Sequence, residues 1–524
     1  MLKATRGDRV ILYLGLSVIL CLSYLLFIHD LGSTALWDPD EPRQAIEARE
    51  MMGRSDYVHP YLNGQPYLEK PPLYPWLIII ASKIQGGLDE FSARIPSALA
   101  ATILLILTFF VGRRMAGPTS GLLAALALAT NFLFLSYARQ SVMDMTFALF
   151  IGLTICLGDL AVQSNRRWFF ACALLPSVFA VLSNGPAGLL IPVGVLFLSL
   201  LCQRSLKPFF LPLVVGCLVA LGLSSIWFIV AGEAYAREFI LHQNLTRYIK
   251  GFDHTESSFY YFPKLFFTFL PWSCLLPFAI YHAVKRRLWL PLVWFAFTFL
   301  FFEFSRSKRA VYLLPLFPAM ALLTGIFLKE KWETVVGNQW SGPALKGFAL
   351  VIALCPILGM VAASAASNSL AGGLSTGSLG RLALTVLVFL GIIFFFCLTV
   401  KSPRGSLSAV LVYLICLGFF YHYLYLPAKG RDSKSVQGMI DAATSDSVYL
   451  QRVYACDFSS PAFIYYLKQP VYAASKPDDI PKDETGKTVV VKDQYGLPAH
   501  FSSRFSPVHQ VDYDKDRFVV FVGR

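Results

Sequence analysis

VILYLGLSVILCLSYLLFI (10–28), followed by WDPDEPR (37–43), is the stretch that sets the architecture. The first part is apolar enough and long enough to cross a membrane as a helix. The second places three carboxylates, Asp38, Asp40 and Glu41, and the guanidinium of Arg43 just past its exit. A membrane chain with that arrangement builds a polar site at the membrane surface. The rest of the sequence agrees. Of 524 residues 56% are hydrophobic and 15% charged, and the mean hydropathy is +0.57, which is too apolar for a soluble protein of this size. The apolar runs are helix-length rather than alternating. Helices, which satisfy their own backbone hydrogen bonds, are therefore expected instead of a barrel.

Thirteen spans are expected, at 10–29, 94–114, 119–137, 141–162, 167–183, 185–202, 209–231, 260–282, 287–304, 310–328, 345–366, 381–400 and 406–426. A shorter apolar run at 73–84 reads as re-entrant or interfacial. The N-terminus carries Lys3, Arg6 and Arg9, and every second loop after it is basic: Arg113-Arg114, Arg166-Arg167, Arg204 with Lys207, Lys285-Arg286-Arg287, Lys329 with Lys331, Lys401 with Arg404. The positive-inside rule puts these loops in the cytoplasm and, after thirteen spans, the C-terminus outside. The net charge of +13 is then mostly topological, and no nucleic-acid partner is needed to explain it. No small-residue cleavage site follows the first span, which reads as an uncleaved signal anchor. Of ten cysteines only Cys456 lies in the C-terminal segment, so no disulfide can staple that segment internally. From about 427 charges return, with β-rich runs at 448–454, 488–491 and 518–522 beside a helix-like 461–467. The organisation expected is a membrane part, 1–426, whose first external loop 30–93 carries interfacial helices, and a small external α/β domain, 427–524.

Four external loops gather charge. In the first, Pro42 suits a helix start and Asp40 and Glu41 suit its N-terminal end. The run 43–52 can lie as an amphipathic interfacial helix with Arg43 and Glu47 paired. Glu47, Arg49 and Glu50 read as decoration of a solvated face; the acids at the membrane exit read as functional. The second loop, Tyr137 to Asp144, leads a carboxylate into the next apolar span. An ionisable group there marks a site by default, and function is weighed ahead of a structural pair with Arg139. The third, 232–260, holds His242, Asn244, Arg247, Tyr248, Lys250, Asp253 and His254. A lone histidine is more often structural, yet His254 could share a divalent metal with Glu69 or an aspartate of the first loop; the spacing leaves this open. The fourth, Ser305-Arg306-Ser307-Lys308-Arg309, is basic on the side where that is unusual. A lipid phosphate would account for it better than headgroup snorkelling.

Longer stretches carry a resemblance. Asp40-Glu41-Pro42-Arg43, Ala48-Arg49-Glu50-Met51, Leu62-Asn63-Gly64-Gln65-Pro66-Tyr67-Leu68-Glu69-Lys70-Pro71-Pro72 and Arg94-Ile95-Pro96-Ser97 resemble the bacterial lipid A 4-amino-4-deoxy-L-arabinose transferases. These belong to the wider protein O-mannosyltransferase-like group of GT-C membrane glycosyltransferases. Arg139 with Asp144, Gln243-Asn244-Leu245 with Arg247-Tyr248, and Phe304 to Lys308 with Tyr312 and Pro315 extend the likeness to about residue 330. It implies a polytopic helical GT-C fold in the bacterial inner membrane. It implies a polyprenyl-phosphate-linked sugar donor taken from the periplasmic side, lipid A or another envelope acceptor, no nucleotide cofactor and a monomer among membrane lipids. It implies Asp40 as the principal catalytic carboxylate and Asp144 as the second, and Glu69 and His254 as ligands of a zinc-like metal. Arg43, Lys70, Arg139, Asn184, Arg247, Arg306, Lys308 and Arg309 would contact the lipid phosphate or substrate. Where this chain has Ser183-Asn184-Gly185-Pro186, members of the family often carry a lysine. Asn184 can hydrogen-bond a phosphate but cannot neutralise it.

Two other readings are set beside this one. A hexose transferase acting on protein hydroxyls or a polysaccharide would use the same donor chemistry. A transporter of lipid-linked sugars would also need many spans, but such proteins usually show internal repeats and mid-span charges. Here the charges gather at one face.

Overall fold

The computed structural model describes residues 6–270, 272–337, 452–456, 460–468, 471–474, 487–492, 505–513 and 516–523. The expected spans at 345–366, 381–400 and 406–426 lie outside the described residues. The chain divides into two compact units, one of Met1–His29, Leu68–Tyr74 and Ile95–Phe420, the other of Asp30–Tyr67, Pro75–Arg94 and Tyr421–Arg524.

The first unit is helical. Among the described residues five helices are long and apolar enough to cross a membrane: Glu90–Ala116, Asp144–Gln163, Arg167–Asn184, Leu206–Ala231 and Ala310–Glu330. A bent pair, Pro118–Ala129 with Phe132–Ala138, makes a sixth. It turns by 72° where Asn131 caps the second helix, its Oδ1 accepting from the Phe134 amide at 3.0 Å. Shorter apolar helices run over Leu12–Ile28, Ala187–Cys202 and Trp289–Glu303. The expected span 260–282 is broken into Tyr261–Thr268, a 3₁₀ turn Trp272–Leu275, and Leu276–Arg286.

Packing follows membrane rules. Small residues allow close helix approach: a Cβ built on Gly121 would lie 2.3 Å from the Phe109 carbonyl oxygen. Apolar side chains also face outward. On Leu206–Ala231 these include Leu218, Ile226 and Ile229, the last 77% exposed, as suits a helix solvated by lipid rather than water.

In the second unit, helix Asp40–Arg54 is followed by a hairpin of β1 (Tyr61–Leu62) and β2 (Gln65–Pro66). Asn63 and Gly64 both have positive φ, 53° and 80°, as a two-residue primed turn requires. The apolar run expected at 73–84 forms the helix Leu73–Gln85. C-terminal strands β3 (Arg452–Cys456), β4 (Val471–Ala474), β5 (Lys487–Lys492), β6 (Phe505–Tyr513) and β7 (Asp516–Gly523) form one sheet in the order β4-β3-β5-β7-β6. β4, β3 and β5 are parallel, and β7 and β6 join antiparallel, with a register shift between Pro507 and His509. Helix Pro461–Leu467 leads from β3 to β4.

Sequence order alone assigns the loop 30–93 to the membrane part, but most of it packs with the C-terminal segment. Leu36, Ala45, Ile46 and Ala93 share a core with Val453, Phe463, Ile464 and Val490. Polar bonds follow the same path. Arg49 donates to the carbonyls of Tyr465 (2.7 Å) and Ile464 (3.2 Å). The amide of Ala462 donates to Asp38 (2.8 Å), which therefore caps the helix Pro461–Leu467 alongside Ser460. Asn63 pairs with both backbone groups of Val471, at 2.6 and 3.0 Å. Two expectations of a solvated face fail here. Arg49 is no solvated ornament, since its partners lie hundreds of residues away, and Glu47 is fully buried beside Gln44 (3.2 Å). Arg43 pairs with Asp40, three residues before it, at 3.4 Å.

Candidate active site

In the first unit, helix Pro176–Asn184 stops at Asn184 because Gly185 adopts φ +98° and Pro186 has no amide to continue the ladder. A side chain on Gly185 would meet the Asn244 Oδ1 at 2.7 Å, so only glycine lets the two segments approach. Helix Asp144–Gln163 starts alongside. Ser183 Oγ and Thr146 Oγ1 are 3.0 Å apart, and Ser183 also reaches the Met143 carbonyl at 3.2 Å. This lock sets Asn184 near Asp144, whose carboxylate opens its helix at the end that favours negative charge.

Both residues line a cavity of about 580 Å³, together with Lys70, Arg247, Tyr248, Ser307 and Tyr312. Its remaining wall is largely apolar, with Phe147, Leu190, Ile240, Phe301 and Phe302 among its members. An apolar chamber with a few convergent polar groups is the usual form of a small-molecule site.

Lys70 is fixed from two sides. Its Nζ donates to Asn184 Oδ1 at 2.7 Å, and its carbonyl accepts from the Tyr235 hydroxyl at 2.6 Å. Burial lowers the ammonium to about 8, with Arg247 and Arg309 pushing the same way and Asp144 and Glu69 opposing them. The group is thus charged at neutral pH and ready to lose its proton just above it. Arg247, 15% exposed, donates through Nη2 to Asp253 and through Nε to Ser307 Oγ at 3.3 Å. Ser307 Oγ in turn donates to Asp253 Oδ1 at 3.1 Å. Tyr248, whose hydroxyl donates to the Phe301 carbonyl at 2.8 Å, is pushed up by burial.

Of the residues singled out in the sequence, Lys70, Asp144, Asn184 and Arg247 meet at this cavity. Arg309 is half-buried and acts on Lys70 through space. Two others are placed differently. Arg139 is buried and donates to the carbonyls of Leu26 (3.2 Å) and His29 (2.8 Å), so it closes the end of the first span. Lys308, 3% exposed, pairs with Glu303 at 3.1 Å and donates to the Ser257 carbonyl at 3.2 Å. Its charge is thereby matched within the protein, while Arg306 of the same loop is exposed. Glu69 and His254 are also exposed. Among the described residues no three His, Cys, Asp or Glu side chains cluster as metal ligands, and two candidate ligands alone do not make a protein-held metal site. Asp40 and Arg43 belong to the second unit. There, Glu41 forms a bidentate pair with buried Arg94, both contacts at 2.8 Å, and accepts from the Trp37 amide at 2.6 Å. It shapes the turn before its helix. Sequence reasoning missed Tyr235 and the Ser307 hydroxyl as supports of the two cations; neither has a local sequence signature.

Residues 69–228 match the family model described as dolichyl-phosphate-mannose-protein mannosyltransferase. An uncharacterized protein of Aquifex aeolicus is 32% identical over 60% of this chain and 64% of its own length. An undecaprenyl phosphate-alpha-4-amino-4-deoxy-L-arabinose arabinosyl transferase of Pseudomonas fluorescens is 31% identical over 60% of this chain and 56% of its own. The chain thus spans less than two thirds of either relative. The crystal structure of ArnT from Cupriavidus metallidurans bound to undecaprenyl phosphate superposes with a TM-score of 0.78 at 22% identity, covering 96% of this chain and 97% of that one. The resemblance read from the first loop is borne out, and the fold is that of the ArnT structure, with apolar helices that fit a polytopic membrane protein.

Proposed function

We propose that the protein is a membrane glycosyltransferase that takes a sugar from a polyprenyl-phosphate donor, with 4-amino-4-deoxy-L-arabinose as the sugar and lipid A as the acceptor. The observation that carries this reading is that Lys70, Arg247 and Asp144 line one largely apolar cavity and act on one another there. A polyprenyl phosphodiester has those same two parts, a hydrocarbon chain and one anionic group. The inner membrane, a cytoplasmic N-terminus and a periplasmic C-terminal domain belong to the same proposal, supported by the alternation of basic loops.

The chemistry follows from the donor. The bond between the anomeric carbon and the phosphate oxygen breaks, and the phosphate keeps the electron pair. The sugar becomes electron-poor while an acceptor oxygen forms the new bond from the opposite face. Lys70 and Arg247 stabilise the leaving phosphate as its second negative charge develops. Asp144, a carboxylate beside them, stabilises positive charge on the sugar. Asp40 is proposed from the resemblance as the principal carboxylate. With a hydroxyl acceptor it would take the acceptor's proton; with a lipid A phosphate no proton need move, and it would orient the acceptor or the sugar amine. Glu69 and His254 are proposed as metal ligands only together with phosphate oxygens of the donor, and none of these steps runs through a metal.

The test is purified protein in proteoliposomes with undecaprenyl-phosphate-aminoarabinose and lipid A, read by mass spectrometry. Aminoarabinose-bearing lipid A is expected. Transfer from a mannosyl or other hexosyl phosphodiester alone would move the assignment to the second reading, which the mannosyltransferase family match over 69–228 favours. No glycoside from any polyprenyl donor would overturn both.

A further inference from the structure

We infer that Asp253, braced by Ser307, is a positioning residue that tunes Arg247 to hold a phosphodiester and to release a phosphomonoester. The inference rests on the polyprenyl-phosphate reading above. Of the Arg247 guanidinium, Nη2 is bound to Asp253 and Nε to Ser307, and the Ser307 hydroxyl closes the triangle on Asp253. Among the described residues this leaves Nη1 and the second Nη2 hydrogen available to an anion in the cavity. The brace is built into the backbone. Thr255 and Ser307 form an isolated antiparallel bridge, the Arg306 amide donates to the Tyr248 carbonyl at 3.0 Å, and the Lys308 amide donates to the His254 carbonyl at 2.9 Å. Arg247 is therefore held by both segments at once.

Charge gives the arrangement its meaning. The groups that act on one another here are Lys70, Arg247, Arg309, Asp144, Asp253 and Tyr312, with exposed Glu69 acting on Lys70. Glu69 is exposed and screened by solvent, so the three cations stand mainly against the two carboxylates Asp144 and Asp253 and leave about one positive charge. The donor's phosphodiester group carries one negative charge, which matches it; the ammonium of the proposed amino sugar is borne at C4 of the sugar, away from the phosphate. The product is a monoester that takes a second negative charge above about pH 6, and this exceeds what the site can balance. Removing the Asp253 charge would leave Arg247 undivided for the ligand and strengthen the hold on the product more than on the donor.

The experiment measures inhibition by undecaprenyl phosphate (Ki) against donor KM, between pH 5.5 and 7.5, in the full-length protein in detergent or proteoliposomes. Asp253→Asn keeps an acceptor for Arg247 and loses the charge. Its Ki/KM is expected to fall roughly tenfold at pH 7.5, a modest effect for one charge at an effective dielectric near 20, and to recover toward wild type at pH 5.5. Asp253→Glu is expected to restore the ratio. A ratio that does not move, or Ki and KM that weaken in parallel, would mean a merely structural clasp and overturn the inference. Should Asp253→Asn not fold, the unmodified protein decides. A nearly flat Ki/KM across this range supports the inference, and a tenfold fall with rising pH overturns it. Wild-type protein that neither binds undecaprenyl phosphate nor uses the donor would instead count against the proposed function.

Discussion

Two lysines of the first unit, Lys70 and Lys308, are taken out of water and treated in opposite ways. Lys308 meets a carboxylate, Glu303, and a carbonyl. Lys70 meets a neutral amide, Asn184, in a cavity shared with Arg247. A lysine matched by its own carboxylate is a piece of architecture. One held by an amide keeps its charge for something else, and its lowered proton affinity registers that unspent charge. The amide looked like a weakness in the sequence, since it cannot neutralise a phosphate. In the structure it is the support that aims a lysine which can.

The largest effect should come from the carboxylate beside Lys70. Asp144→Asn is expected to lower transfer about 10³-fold at unchanged fold, within the usual range for losing one group that stabilises developing charge, measured as kcat with the polyprenyl donor. Wild-type turnover in that variant would leave the cavity a binding site without chemistry. Next, Lys308→Met removes the cation of a largely buried pair and leaves Glu303 to the Phe259 amide, which should cost about 3 kcal/mol in thermal or denaturant unfolding. A variant as stable as wild type would show that the two lysines are not opposites after all. Asn184→Asp would give Lys70 the kind of partner Lys308 has. Donor KM should rise on the order of tenfold as the carboxylate competes with the phosphate, with kcat changed less.

The smallest effect concerns pH. Lys70 carries its proton below about 8 and loses it above, so donor KM should climb several-fold from pH 7.5 to 9 in wild type. Lys70→Arg keeps its charge throughout and should flatten that rise. A wild-type profile that is already flat would mean that bound phosphate holds the proton on Lys70, or that Lys70 does not contact it.

Much of this was legible in the sequence where the signal is local. The apolar runs give helices, and Asp144 at a span's edge gives a site residue. Lys70 and Arg247 were named through the resemblance to a known family rather than by any local physical signal. What could not be read is pairing at long sequence distance. Arg139 also donates to the carbonyls of Leu26 and His29, partners that no local signal names. Arg49 looked solvated, yet it holds the carbonyls of Ile464 and Tyr465, more than four hundred residues on. The loop 30–93 was assigned by its neighbours in sequence, and its apolar residues instead found a core with strands near the C-terminus. Local composition says which residues will be polar or apolar; it does not say which distant partner removes them from water.

The Asn63 side chain has a consequence of its own. Among the described residues β4 is one of the two edge strands of the C-terminal sheet, and a bare sheet margin invites another chain to add itself. Asn63 offers Val471 one donor and one acceptor, the same pair that a neighbouring strand would offer, and then ends. It works as a one-residue false strand that seals the margin without extending it. Expressed without residues 30–94, the C-terminal segment would lose that seal, and self-association through β4 is the behaviour to look for.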